Sequence, residues 1–136
     1  MKFGAKAWIC DAGSPTLPGK STQCLSNARA ELGISLSNDA GRNAYLAAFH
    51  SAQALIFERT GKVAKTHRGV HSEFARLAKL EPAIDSRFPV FLTQAYNLKA
   101  VADYETGAGS VVPRDRAAAA IEAAREFIDC VSKLLP

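Results

Sequence analysis

Three groups of residues in this chain have side chains of the kinds that do chemistry. The first is Arg42-Asn43 followed by His50. An arginine fork offers two parallel, charge-assisted hydrogen bonds to a phosphate. An imidazole can move protons near neutral pH. Together they are what phosphodiester cleavage without a metal requires. The same residues also fit a surface arginine near a helix start plus a half-buried, hydrogen-bonded histidine.

The second group is the basic run Lys62, Lys65, His67, Arg68 and His71. It reads as a loop entering a helix N-terminus, which suits an anion, or equally as a solvated loop capped by Thr66. His67 and His71 share one helical face. No acidic or cysteine third ligand lies nearby, so no metal site is expected. The third group is Asp103-Tyr104-Glu105, which could orient a catalytic group or accept a hydrogen bond from one. It could also be a simple helix end with Tyr104 packed on the body. Tyr45 belongs with Asp103 and Tyr104 as a supporting residue.

These groups need elements to hold them. Residues 39–61 read as one long helix, with Tyr45, Ala48, Phe49, Ala52, Leu55 and Ile56 on a wide apolar stripe. Ser21 or Thr22 can cap a shorter helix running to Leu32, with Gly33 as its stop. Ser35, Ser37, Asn38 and Asp39 offer several caps for the long one. Thr66 caps a third helix that Glu81-Pro82 ends. Asp85 or Ser86 caps a fourth, with Pro89 tolerated in its first turn. A loop over 103–112 leads to Pro113, which opens a last helix with a nearly unbroken i, i+3, i+4, i+7 pattern from Ala117 to Leu135. No strand-like alternation is present. The expected fold is all-α, an antiparallel bundle of four to five helices. An irregular arm over residues 1–20, broken by Gly4, Gly13, Gly19, Pro15 and Pro18, would precede a helical domain over 21–136.

Composition narrows the functional classes. A chain of 136 residues supports one domain. Its net charge of +4 is compatible with an anionic partner without demanding one. Cys10, Cys24 and Cys130 are isolated, as in a reduced cytoplasmic protein. No apolar run is long enough to cross a membrane, and the N-terminus is a poor signal peptide. There is no glycine-rich phosphate loop, GxSxG elbow, HExxH or CxxC motif, and no cofactor is implied.

Taken in order, the segments RNAYLAAFHSAQALI, KTHRGVHSEFARL and AYNLKAVADYETG, followed by AREFIDCVSKLL, resemble the HEPN domains (higher eukaryotes and prokaryotes nucleotide-binding). The likeness spans Ser37–Leu135. It leaves out residues 1–33, where the family carries a longer first helix that would here be shortened or replaced. The resemblance implies an all-α bundle, usually a homodimer. It implies a metal-independent endoribonuclease, often a toxin paired with a small nucleotidyltransferase antitoxin. The family motif is an arginine, often with a polar neighbour, then four to six positions, then histidine, and the motifs of two subunits meet at the dimer interface. Here Arg42 and His50 have seven residues between them. On a regular helix they stand about 12 Å apart along the axis and about 80° apart in direction.

The expected function is therefore that of a cytoplasmic, dimeric HEPN-type toxin component. It would cleave RNA with Arg42, Asn43 and His50 of two subunits, while Lys62, Lys65, His67, Arg68 and His71 hold phosphates. The alternative is a non-catalytic HEPN module that binds a nucleotide, a nucleic acid or a nucleotidyltransferase partner.

Overall fold

The computed structural model describes residues 17–104 and 111–136. Side chains are described for 19–103 and 111–136. Five helices account for nearly all of this: α1 (Leu17–Gly33), α2 (Ser37–Thr60), α3 (His67–Leu80), α4 (Arg87–Tyr104) and α5 (Arg114–Ser132). There is no strand among the described residues, and the fold is the all-α bundle expected, although α3 runs in the same direction as α2, its start meeting Tyr45 and its C-cap Glu81 meeting Arg59. The arm expected over residues 1–20 falls outside the described residues up to position 16.

Helix α2 is the hub and packs against all four other helices. Its burial runs almost all the way round, from Ala40 and Ala44 through Tyr45, Phe49 and Leu55 to Phe57. That pattern is what a central helix requires, and it explains why the stripe read from the sequence is so wide. Around one half of α2, the core is aromatic. Tyr45, Phe49, Phe74, Phe88, Leu92 and Phe127 pack together there, and the rings of Phe74 and Phe127 stack with centroids 4.9 Å apart. Each such side chain stabilises the fold by about 1.5–3 kcal/mol through burial. Around the other half, small residues predominate, with Ala28, Ala40, Ala44, Ala47, Ala117 and Ala124 fully buried. Gly41 belongs to this half. A Cβ there would sit 3.3 Å from Cδ2 of Leu98, so the missing side chain lets α4 approach α2 closely.

Helix ends follow local chemistry, with two differences from expectation. Thr66 caps α3, its Oγ1 accepting from the Gly69 N–H at 2.9 Å. Gly61 closes α2 with φ of 75°, the left-handed conformation that glycine adopts freely. Asp85 Oδ1 accepts from the Arg87 N–H at 2.9 Å at the start of α4. The first difference is α1, which begins at Leu17, four residues ahead of Ser21. Ser21 lies inside the helix and is 1% exposed. Its hydroxyl donates to the Ala47 carbonyl of α2 at 2.8 Å, so it ties two helices together and caps neither. The second is the start of α2. Its N-cap is Leu36, without a side-chain hydrogen bond. The polar residues expected to cap it reach elsewhere: Asn38 Oδ1 accepts from the Val112 N–H at 2.7 Å, and Asp39 engages Arg42. Position 103, where a loop was expected to begin, is still helical, because Asp103 and Tyr104 complete α4, and residues 105–110 lie outside the described residues.

Candidate active site

The structure does not bring Arg42, Asn43 and His50 of one chain together. Each has its own partners. Arg42 Nε donates to Asp103 Oδ1 at 2.5 Å, Nη1 to Asp39 Oδ1 at 2.5 Å, and Nη2 to the Ala102 carbonyl at 3.4 Å. Lys99 Nζ pairs with the other oxygen of Asp103. Burial alone would raise the Asp103 carboxyl, but the bonds from Lys99 and Arg42 outweigh it and hold the group below its ordinary range. Asp103 thus does accept a hydrogen bond from a sequence-predicted site residue, and from a second cation as well. Asn43 turns the other way, its amide donating to Glu31 of α1 at 2.8 Å.

His50 is half-buried. Its Nδ1 lies 2.9 Å from Gln53 Oε1, and Gln53 Nε2 donates to the Ala64 carbonyl at 2.8 Å. With its amide nitrogen committed, Gln53 can only accept through Oε1, so Nδ1 of His50 is the donor and the proton sits there. Burial lowers the His50 imidazole, the Gln53 bond opposes this, and Lys20 adds to the lowering. His50 is accordingly neutral at pH 7.

A different set does converge. Tyr45 is fully buried on α2, and its phenol oxygen lies 2.7 Å from Nδ1 of His67 and 2.8 Å from Nε2 of His71. The i, i+4 spacing on α3 places both imidazoles over the same point of α2. Tyr96 of α4 completes the group, with its ring centroid 5.5 Å from Tyr45, 5.0 Å from His67 and 5.6 Å from His71. Phe49 packs beneath His67 at 4.8 Å. An open cleft of about 440 Å³ lies over these rings, bordered by His67, Arg68, His71, Ser72 and Tyr96. Burial lowers His67, and Lys99 lowers it further while Asp103 opposes. Burial also lowers His71, with a further contribution from His67. Burial raises the Tyr45 phenol well above its ordinary value. At neutral pH the three groups are uncharged, beside a cleft whose nearest exposed cation is Arg68.

A sequence model of the HEPN domain matches residues 18–134. The chain belongs to the HEPN family. The match begins at residue 18 and takes in α1, so the likeness extends beyond Ser37–Leu135 to the helix that was expected to be shortened or replaced. The HEPN chain is 33% identical over 111 residues to a protein of Methanocaldococcus jannaschii named "Putative toxin MJ0605". That alignment covers 82% of this chain and 80% of the relative.

Within this HEPN fold the basic run divides. Arg68, His67 and His71 border the cleft over Tyr45. Lys62 borders a separate hollow with Thr60, Val63, Glu73 and Arg76, and Lys65 is exposed between them. The side chain of Tyr104 and the whole of Glu105 lie outside the described residues. Tyr96 of the converging set, and Lys99, whose charge acts on His67, were not singled out from the sequence. Their signal was present: Tyr96, Lys99 and Asp103 stand at i, i+3 and i+7, one face of α4. No membrane-crossing helix exists among the described residues.

Proposed function

We propose that this HEPN chain is a toxin-type endoribonuclease that cleaves RNA phosphodiesters at the cleft over Tyr45, His67 and His71. One observation carries the reading: two imidazoles meet on a single buried phenol at an open cleft. Cleavage at a ribose 2′-hydroxyl needs a base for that hydroxyl, an acid for the departing 5′-oxygen and a cation for the phosphate. His67 and His71 supply the first two and Arg68 the third, with Lys65 extending the phosphate contacts along the strand. The name of the archaeal relative agrees with a toxin role. The expected test is RNA incubated with the protein in the presence of a chelator. His67→Ala and His71→Ala should each lower the rate by about 10²–10⁴-fold, the usual weight of an acid–base group. No cleavage by the native protein, or cleavage by both variants at the native rate, overturns the proposal.

A second siting uses Arg42, Asn43 and His50 from two subunits of a homodimer. It is favoured by the Gln53 bond, which leaves Nε2 of His50 as the basic nitrogen. In that case His50→Ala is the damaging change, and a sedimenting monomer excludes it. A non-catalytic role, binding a nucleotide, a nucleic acid or a nucleotidyltransferase antitoxin, is favoured by the two carboxylates that already neutralise Arg42. Salt-sensitive RNA binding without cleavage is its signature.

A further inference from the structure

The two histidines differ in which ring nitrogen faces Tyr45. His67 uses Nδ1 and His71 uses Nε2. The nitrogens not engaged by the phenol are therefore Nε2 of His67 and Nδ1 of His71. A phenol oxygen can donate one proton and accept another. If the Tyr45 hydroxyl donates to His71, then His67 donates to Tyr45 through Nδ1–H. In that arrangement Nε2 of His67 is a bare base and Nδ1 of His71 carries a proton. If Tyr45 donates to His67 instead, both assignments reverse. The cluster offers one base and one acid in either state, with no net charge.

We infer that Tyr45 is a proton relay that interchanges the base and acid roles of His67 and His71. This rests on the cleft being the cleavage site. Balance is simple to follow. The 2′-hydroxyl proton passes to Nε2 of His67 as the 2′-oxygen bonds to phosphorus. The Nδ1 proton of His67 passes to the Tyr45 oxygen, and the Tyr45 proton passes to Nε2 of His71. The Nδ1 proton of His71 goes to the 5′-oxygen as its bond to phosphorus breaks. The products are a 2′,3′-cyclic phosphate and a 5′-hydroxyl, and the enzyme is left in the reversed state. That state is the one needed to open the cyclic phosphate: Nδ1 of His71 takes a proton from water, and Nε2 of His67 returns one to the 2′-oxygen. Two half-reactions restore the starting arrangement. Among the described residues, Tyr96, Lys99 and Asp103 approach the relay from α4 and Arg68 from α3, while α2 adds Phe49 and Arg42, which is held on Asp103 and Asp39.

Two measurements test this. The first is the ¹⁵N spectrum of the imidazoles in the intact protein at pH 8. The relay requires both rings to carry the proton on the same type of nitrogen, Nδ1 in one state and Nε2 in the other, so their tautomer fractions should be equal. Tyr45→Phe should uncouple them. Unequal fractions, or fractions unchanged in Tyr45→Phe, overturn the relay whether or not RNA is cleaved. The second is the pH dependence of cleavage. The native rate should hold level above the imidazole range, because the active form is neutral. In Tyr45→Phe one imidazole must be charged, so the rate should fall about tenfold per pH unit on the alkaline side. An unchanged profile in Tyr45→Phe, with His67→Ala and His71→Ala inactive, overturns the relay and leaves the cleavage site standing. Native-like cleavage by both alanine variants removes the site and the relay's role in it.

Discussion

Arg42 Nε and Asp103 Oδ1 lie 2.5 Å apart although 61 residues of chain separate them. Lys99 holds the second oxygen of Asp103 and Asp39 holds the far side of Arg42. Two cations and two carboxylates thus alternate across the junction of α2 and α4, partly shielded from water. Such a network is worth more than an isolated surface pair, which contributes about 0–1 kcal/mol. Asp103→Asn and Arg42→Met should each destabilise the fold by about 1–2 kcal/mol. Denaturant unfolding of the two single variants and the double variant should show the double costing less than the sum. Because the folded Asp103 carboxyl is held low, its contribution is present above the ordinary carboxylate range and is lost as pH falls below about 4.

Acid should weaken the fold earlier, through histidine. His50, His67 and His71 are all lowered from their ordinary value, chiefly by burial. The unfolded chain takes up protons near pH 6.5 and the folded chain only below that. Stability is therefore full above that range and declines as pH falls through it, until the folded groups themselves protonate. Melting temperatures at pH 7.5 and 5.5 should differ, and His50→Gln should narrow the gap. A melting temperature that rises on acidification would contradict the burial of these rings.

Phe127 is fully buried and in ring contact with Phe74, Phe88 and Phe91. Phe127→Ala should cost about 3–5 kcal/mol, the usual consequence of a large cavity. That is a large share of the 5–15 kcal/mol typical of a domain. Phe127→Leu should retain most of the stability, as read by denaturant unfolding.

Gln53 joins His50 to the Ala64 carbonyl, pinning the connection between α2 and α3 to α2. Gln53→Leu keeps the volume and removes both bonds, at about 1–3 kcal/mol for the polar groups left without a partner. Hydrogen exchange should quicken over 61–66 in this variant and remain slow in α5.

Most of the fold was legible because its signals are local. Thr66, Gly61, Pro82 and the periodicity of α5 each act within a turn or two of their own position. Ser21 misled because a hydroxyl near a helix start resembles a cap, and only the neighbouring α2 reveals that it bonds the Ala47 carbonyl. The candidate site was half legible. His67 and His71 declared a shared face, and Tyr45 lay on the central helix. Their meeting depends on how α3 crosses α2, which no local spacing encodes. Arg42 read as a free phosphate ligand because Asp103, its partner, lies 61 positions away. The sequence alone shows a cation and cannot show what occupies it.

Tyr45 meets His67 and His71 across only 22 and 26 residues. These contacts close within two consecutive helices, residues 37–80, whereas the Arg42–Asp103 pair waits for α4. Loop-closure entropy grows with the length enclosed, and contacts between near neighbours form fastest. The imidazole pair is therefore expected to reach its phenol before Tyr96 and Asp103 of α4 close over it, so the order in which the chain emerges would also be the order in which the cleft is built.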